Sequence, residues 1–413
     1  MAHIVDRWYR TVVGADGKSR QEPKPECGQG MRYRVRYIAP DGKEKSQSFP
    51  DKKKRDAQAF LASVQADILK GTYVDPDAGR LTFKQYADEW LAAATTDMLT
   101  RDRIEYELRL HVYPVLGHRP LASIQPATVR EWARRIQESG LSVGYRRVLF
   151  TDVSMILNAA VDDRKIVSNP FSVKSIRRPK PAPTKVVPWT VARLVAFRDN
   201  VPERYRVAVD LGAGCGLRQG EIFGASPADL DGTRPVLHVT RQIKLVRGQL
   251  IFAPPKGGKS REVPLPRSVA GRLKQHAADF PPATVSLPWA SLTGEPRTVE
   301  LYLSTPAGTA LTRSMFNSGV WKPAIRATGA PDDRHNGMHV LRHTYASVLL
   351  DAGESIKALS AYLGHADPGF TLRTYTHLLP TSEDRTRRAI DKALGEDQED
   401  DDPPEPVDGL KTA

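Results

Sequence analysis

Cysteine is almost missing from this chain: Cys27 and Cys215 are the only two among 413 residues. Two thiols cannot supply a disulfide framework or a cysteine-rich metal site. Long apolar runs are missing as well. No stretch of ~18 or more apolar residues occurs, which excludes a conventional membrane-spanning helix. The opening MAHIVDRWYR lacks the apolar segment of a secretory signal. No internal repeat recurs along the chain. These absences leave a cytoplasmic protein with no membrane attachment as the expectation.

What the chain has in excess is positive charge. Its 61 lysines and arginines outnumber 48 acids, for a net charge of +13. The distribution is uneven: eight acids crowd into 396–408, so everything before that tail is more basic still. A basic body favours a polyanionic partner, because neutralising phosphates releases their counterions. Hydrophobic content of 40% is ordinary for a globular chain, and the length allows about two to three domains.

Local patterns divide the chain. Tyr33, Val35 and Tyr37 alternate with Arg32, Arg34 and Arg36, and Asp41-Gly42 follows. This spacing predicts a β-hairpin over 31–49 with aromatics on one face and arginines on the other. The run Lys52, Lys53, Lys54, Arg55 then opens a helix with apolar positions at Ala57, Phe60, Leu61, Val64 and Ile68, stopped by Gly71. A charged face of this kind is either solvated or set against a nucleic-acid backbone, and three arginines on one strand face favour the second. From Leu81 the period changes. Thr82 with Gln85 reads as a capping box, and Phe83, Tyr86, Trp90 and Leu91 form one helical stripe. Further helices are expected at 104–112, around Val129, Trp132, Ala133 and Ile136, and around Leu149, Val153, Ile156, Leu157 and Ala160. This bundle ends near Asn169-Pro170. The segment RRPKPAPTKVVP, which begins with Arg177 and Arg178, has the composition of an extended linker. Beyond it, helices are expected near 191–199 and 203–214, short strands near 236–240, 250–253 and 262–265, and then more helices. The fold class expected is multidomain α+β: a sheet-plus-helix module over 1–78, an all-α bundle over 79–176, a linker over 177–188, a mixed but mainly α unit over 184–394, and a disordered acidic tail over 395–413.

Four stretches of the last folded unit hold polar residues suited to chemistry. GCGLRQGEIFG (214–224) puts Arg218 at the glycine-rich start of a helix, where the ordinary alternative is a surface pairing with Glu221 at i, i+3. PPKGGKSREVPLP (254–266) sets Lys256 and Lys259 around a Gly-Gly hairpin turn, and the ordinary alternative there is a solvated turn. HNGMHVLRHTYASVLLDAG (335–353) places His339 and Arg342 three apart at a helix start, with Leu341, Tyr345, Val348 and Leu349 toward the core. LGHADPGFTLRTYTH (363–377) leaves His365 just past a helix that stops at Gly364, and carries Tyr375 beside His377. His335, His339 and His343 fall at i, i+4 and i+8 and raise a zinc-dependent hydrolase as a reading. Gly337 interrupts that first turn, no acidic ligand sits within the spacing and no cysteine is near, which argues against it.

These pieces make chemical sense around a phosphodiester. Tyrosine is a poor nucleophile with an ordinary pKa of about 10, so it needs positive neighbours. In-line attack creates a pentacoordinate centre with added negative charge on its non-bridging oxygens. Two arginines can clamp those oxygens bidentately. Histidines can add hydrogen bonds and move a proton near neutral pH, and a lysine can protonate a departing sugar oxygen.

In order and in local context, Arg218, Lys256, His339, Arg342, His365 and Tyr375 carry G-L-R-x-G-E, a lysine ahead of a valine-proline strand end, H-x-L-R-H, L-G-H and T-Y-x-H. This ordered set resembles the tyrosine recombinase (phage integrase) family. The resemblance implies that Arg218 and Arg342 clamp the scissile phosphate with help from His339 and His365, that Tyr375 forms a 3′-phosphotyrosine, and that Lys256, with Lys259 as its rival, protonates the 5′-oxygen. Tyr345 and Tyr362, the other tyrosines nearby, fit packing roles. It implies strand exchange without ATP, metal or other cofactor, on duplex DNA, by a homotetramer. The bundle resembles the family's core-binding domain, and with the catalytic unit it would close on the duplex as a clamp. The N-terminal module resembles an arm-binding domain, which favours an element integrase over a chromosome-dimer-resolving recombinase. An inert DNA-binding regulator on the same fold is a further reading, against which all six catalytic side chains stand. Candidate DNA contacts are Arg32, Arg34, Arg36, Lys52, Lys53, Lys54, Arg177, Arg178 and Lys259. A host DNA-bending protein and an excision factor are further candidate partners.

Overall fold

The computed structural model describes residues 2–375 apart from 14–16, 76 and 183–185, together with 387, 390, 391 and 394. His377 and the acidic tail expected over 395–413 lie outside the described residues. The chain divides into two units, Met1–Ala182 and Pro183–Ala413. Among the described residues no helix is long and apolar enough to cross a membrane.

The first unit opens with three strands that its sequence patterns do not reveal, β1 (His3–Asp6), β2 (Tyr9–Val13) and β3 (Ser19–Pro23). β4 (Tyr33–Ile38) and β5 (Glu44–Phe49) form the expected hairpin, and β1 adds antiparallel to β4 to give the order β1-β4-β5. Gly42 turns the hairpin at φ 82°, a backbone angle that favours glycine. Tyr33, Val35 and Tyr37 lie buried under α1 (Lys54–Lys70), which contributes Ala57 and Val64. Arg34 and Arg36 occupy the other face, as the alternation requires. Arg32 departs from them. Its guanidinium is held by Asp6 at 2.9 Å and Asp51 at 3.1 Å and lies 4.6 and 4.9 Å from the ring centroids of Tyr9 and Tyr33. Those acids arrive from outside the hairpin, so local alternation has no view of them.

The bundle that follows rests on caps and stripes. Thr82 and Gln85 make both capping-box bonds at the start of α2 (Phe83–Ala93). α3 (Met98–Glu107) runs on into a π-helical stretch, Leu108–Gly117, that contains Pro114. Proline has no amide hydrogen for the α ladder, so the wider turn falls where the expected 104–112 helix would otherwise have ended. α4 (Pro126–Glu138) and α5 (Val143–Asp162) complete the bundle. Trp132 is fully enclosed, 5.1 Å from Phe150 and 5.9 Å from Phe171 by ring centroids, and its Nε1 donates to the His111 carbonyl at 2.8 Å. Truncating such a core tryptophan costs about 3–5 kcal/mol.

One polar cluster lies inside this bundle. Arg103 bridges Glu107 and Asp152, with the Asp152 bond at 2.8 Å, and both carboxylates are almost fully buried. Burial and the second carboxylate push Glu107 up to about 7, against the pull of Arg103. A carboxyl raised in the folded state contributes stability that is complete below its unfolded value near 4.5 and is lost as pH rises through about 7. A difference of that size is worth on the order of 3 kcal/mol. Hydrogen exchange in α3 and α5 should therefore show weaker protection at pH 8 than at pH 5.5 after correction for intrinsic rates. Glu107→Gln should flatten that difference; an unchanged pH dependence in the variant would remove Glu107 as its source.

The second unit contains α6 (Val191–Asp199), α7 (Arg206–Cys215), α8 (Gln219–Phe223), strands β6 (Val236–Val239), β7 (Gln242–Val246), β8 (Gln249–Ala253) and β9 (Arg261–Pro264), and then α9 (Arg267–Asp279). β10 (Ala283–Pro288), β11 (Pro296–Leu301), α10 (Arg313–Phe316), α11 (Lys322–Ala327), α12 (His339–Asp351), α13 (Ile356–Leu363) and α14 (Pro368–Tyr375) follow. The Gly-Gly segment is not the tip of a hairpin, as the sequence suggests. β8 pairs with β7 and β9 with β6, so 254–260 links two ladders. Pro254 and Pro255 cannot donate to a ladder, and Gly257 and Gly258 turn at φ 91° and 76°. Val348, expected in the core, is 50% exposed; the buried stripe of α12 runs through Leu341, Tyr345, Ala346 and Leu350. Periodicity gives the direction of a stripe but not how far its neighbours cover it.

Packing of α7 on α12 positions everything that follows. A side chain at Gly212 would put its Cβ 2.6 Å from Leu341, and one at Gly216 would meet the Tyr345 ring at 2.5 Å. Gly216 also ends α7 at φ 65°. The absence of side chains at these points lets the two helices close, which carries the start of α8 to the start of α12.

Candidate active site

Arg218 caps α8. Its backbone N–H donates to Glu221 Oε2 at 2.9 Å, its Nη1 to Oε1 at 3.0 Å, and its Nη2 to the Gly364 carbonyl at 3.3 Å. The i, i+3 pairing with Glu221 is therefore present, but it is no surface contact, because the Glu221 side chain has no exposure. The same carboxylate accepts two bonds from Arg261, at 3.0 and 2.7 Å, while Arg261 Nε donates to the Tyr362 carbonyl at 2.6 Å. Burial alone would raise Glu221; the bonds and charges of Arg261 and Arg218 outweigh it and hold the carboxyl below its ordinary value. One anion thus orients two arginines. Sequence reasoning misses Arg261, whose one hint is its place in the strand after Lys256.

Arg342 is only 1% exposed. Its Nη1 donates to the Gly216 carbonyl at 2.8 Å, and its Nη2 donates to the Leu363 carbonyl and, at 2.9 Å, to His365 Nε2. Burial, with Arg218 and Arg261 close by, pushes Arg342 down to about 9, so it stays charged at neutral pH. A guanidinium can only donate. His365 therefore accepts at Nε2, carries its proton on Nδ1, and donates it to Thr371 Oγ1 at 2.7 Å. Burial and the charges of Arg342 and Arg218 push His365 down to about 3, consistent with a neutral ring. His339 opens α12 and keeps solvent access by surface area, yet it stands in a crowded shell. Burial there, then Arg342, Arg218 and Lys256, push it down to about 4.

Tyr375 lies on α14 with 1% exposure. Its hydroxyl lies 2.8 Å from Nδ1 of His343, a residue that sequence reasoning considers only as a zinc ligand. Burial pushes the phenol up to about 12, while Arg342 and Arg218 pull in the opposite direction. Both arginine charges are therefore felt at the phenol.

The fold brings together Arg218, Arg342, His365 and Tyr375, with His339 beside them. Lys256 and Lys259 stand exposed on the 254–260 segment. The other expected contacts lie elsewhere. Arg34 reaches Ser48 Oγ at 3.5 Å, Arg36 pairs with Glu44 at 3.3 Å and Lys53 with Asp56 at 3.0 Å. Lys52, Lys54, Arg177 and Arg178 are exposed, the last reaching Ser154 Oγ at 3.4 Å. His335 sits on a separate short turn, Arg334–Asn336, and among the described residues no group of three or more His, Cys, Asp or Glu is placed to hold a metal.

Residues 188–382 match the sequence model of the phage integrase family, and residues 83–173 match that of the phage integrase central domain. The chain belongs to the phage integrase family. The two matches fall on the unit that holds the site and on the helical bundle, so the expected family and fold class are borne out. The integrase of Mycobacterium phage D29 is 28% identical to this family member over 376 residues, 88% of this chain and 94% of that one. A XerC-like tyrosine recombinase of Caldanaerobacter subterraneus is 25% identical over 279 residues, covering 63% of this chain and 69% of that one. The Tn1549 transposon integrase, solved in complex with a circular intermediate DNA, has the same fold: TM-score 0.62 at 22% identity, over 76% of this chain and 99% of that one.

Proposed function

We propose that this phage integrase family member is a site-specific DNA recombinase that breaks and rejoins duplex DNA through a 3′-phosphotyrosine at Tyr375, and so integrates and excises a phage or other mobile element. The observation that carries the reading is the placement of Arg218 and Arg342. The buried guanidinium of Arg342 and the partly exposed one of Arg218 lie near one enclosed phenol, and both are fixed in orientation, by Glu221 and by the carbonyls of Gly216, Leu363 and Gly364. Fixed donors of this kind lower the energy of developing negative charge without reorganising.

The phenol oxygen attacks phosphorus, the arginines hold the non-bridging oxygens, and the P–O5′ bond breaks. Lys256, on the exposed 254–260 segment, supplies the proton to the leaving oxygen. The phosphotyrosine retains the energy of the broken bond, so rejoining needs no nucleotide cofactor, and the arginines supply the positive field. Arg34, Arg36, Lys52, Lys53, Lys54, Arg177, Arg178 and Lys259 are the proposed backbone contacts. The donors of Arg32 are largely occupied within its own module. A homotetramer on two duplexes in the cytoplasm, with a host DNA-bending protein and an excision factor, belongs to the same proposal. Resemblance over most of the D29 integrase, against a shorter match to the XerC-like enzyme, favours an element integrase over a chromosome-dimer resolvase.

A nicked duplex carrying the core site should trap a covalent protein–DNA adduct in the presence of EDTA, and mass spectrometry should locate it on the peptide containing Tyr375. An adduct that disappears on chelation would support metal chemistry instead. DNA retardation with no adduct would make the protein a binding regulator.

A further inference from the structure

His343 has no part in the reaction just described, yet its ring lies within hydrogen-bond distance of the nucleophile. Its Nδ1 lies 2.8 Å from the Tyr375 hydroxyl. It follows Arg342 directly on α12, so the helix that buries a phosphate-clamping arginine also sets this imidazole against α14. His339, one turn earlier on the same helix, packs edge-to-face against it with ring centroids 4.6 Å apart. The charged and titratable groups around it are His339 and Arg342 from its own helix and Tyr375 from α14.

We propose that His343 is the proton acceptor for Tyr375 during strand cleavage and the proton donor to it during rejoining. The inference rests on the recombinase reading above. As the phenol oxygen bonds to phosphorus, its O–H bond breaks and the proton passes to the Nδ1 lone pair of His343, while the P–O5′ electron pair leaves with the proton from Lys256. When a 5′-hydroxyl attacks the phosphotyrosine, its proton returns to the Lys256 amine, the Tyr375 O–P bond breaks and the imidazolium returns its proton to the phenol oxygen.

The environment fits a ring that waits neutral. Burial, His339 and Arg342 push His343 down to about 4, and burial pushes Tyr375 up to about 12. The proton therefore stays on the phenol at rest, and transfer becomes favourable only as the P–O bond converts the phenol oxygen into an ester oxygen. A weakly basic imidazole is correspondingly ready to give the proton back.

Single-turnover cleavage of the nicked duplex by the full-length protein tests this. His343→Asn keeps an oxygen that can accept the phenol hydrogen bond but cannot take its proton. We expect adduct formation roughly 100-fold or more slower at pH 7, with a rate that climbs with pH as phenolate forms, while DNA retardation and melting temperature stay near those of the parent. If the asparagine variant reacts within about threefold of the parent, His343 merely positions the phenol and the proposal fails. A second measurement does not depend on the variant folding: ring ¹⁵N shifts of histidine-labelled parent protein should show His343 with its proton on Nε2. A proton on Nδ1 would overturn the proposal, since that nitrogen could then only donate to the phenol. If the parent itself forms no adduct, it is the recombinase reading that falls.

Discussion

Tyr375→Phe should abolish the covalent adduct altogether while leaving DNA retardation and folding almost unchanged. The substitution removes one oxygen and nothing else from a ring that is 1% exposed. The lost bond to His343 is worth about 1 kcal/mol, and the ring remains in the core. Neither neighbouring tyrosine is placed to stand in. Tyr345 packs against Gly216 and is held well above the ordinary phenol range by burial and by neighbouring Cys215 and Tyr362. Tyr362 lies on α13 with its ring packed against the core cluster of the second unit. Denaturing gels of parent and variant on the nicked duplex read the adduct directly, and gel retardation reads binding. An adduct that persists in the phenylalanine variant would place the nucleophile elsewhere and dissolve the site as described.

Glu221→Ala should be the most damaging change outside the reacting groups. The carboxylate has no exposure and accepts from Arg218 and Arg261, at 3.0 Å and 2.7 Å in their closest pairings. Removing it leaves the enclosed guanidinium of Arg261 and the partly exposed one of Arg218 without an anion, near a third in Arg342. Breaking a buried pair from one side costs about 3–5 kcal/mol, a large share of the 5–15 kcal/mol that holds a typical domain. Calorimetry should show the unfolding transition of the second unit moving to clearly lower temperature. Adduct formation should fall more than stability alone explains, because Arg218 loses the partner that orients it. Glu221→Gln tests the cause: it retains shape and one acceptor oxygen but not the charge, so its loss should fall between parent and alanine. A glutamine variant as impaired as alanine would mean that the negative charge carries the whole effect; an alanine variant as stable as the parent would show that the arginines find other partners.

The elements most legible in sequence were those whose cause lies within a few residues. The capping box at Thr82 and Gln85, the stripe of α1 up to Gly71 and the arrest of α13 at Gly364 all depend on hydrogen bonds or φ angles set locally. The residues Arg218, His339, Arg342, His365 and Tyr375 were legible because each lies in a short motif whose order along the chain can be read without the fold. Less visible were β1, whose partner β4 lies some thirty positions away, the β2–β3 pair, whose residues show no clear alternation of apolar and polar side chains, and the π-helical turn around Pro114.

What the chain's order of residues determined unaided was a basic, nearly cysteine-free protein, its helices and their faces, and the list of groups able to act on a phosphodiester. Only the tertiary structure decided how those groups are used. It gave Arg32 to Asp6 and Asp51, set Lys256 on a link between two ladders, bound Arg261 to Glu221 across 40 positions, and placed His343 against Tyr375 across 32. Periodicity and capping act over one or two turns of chain, whereas a buried charge or a nucleophile takes whichever partner the packing of distant helices brings within 3 Å.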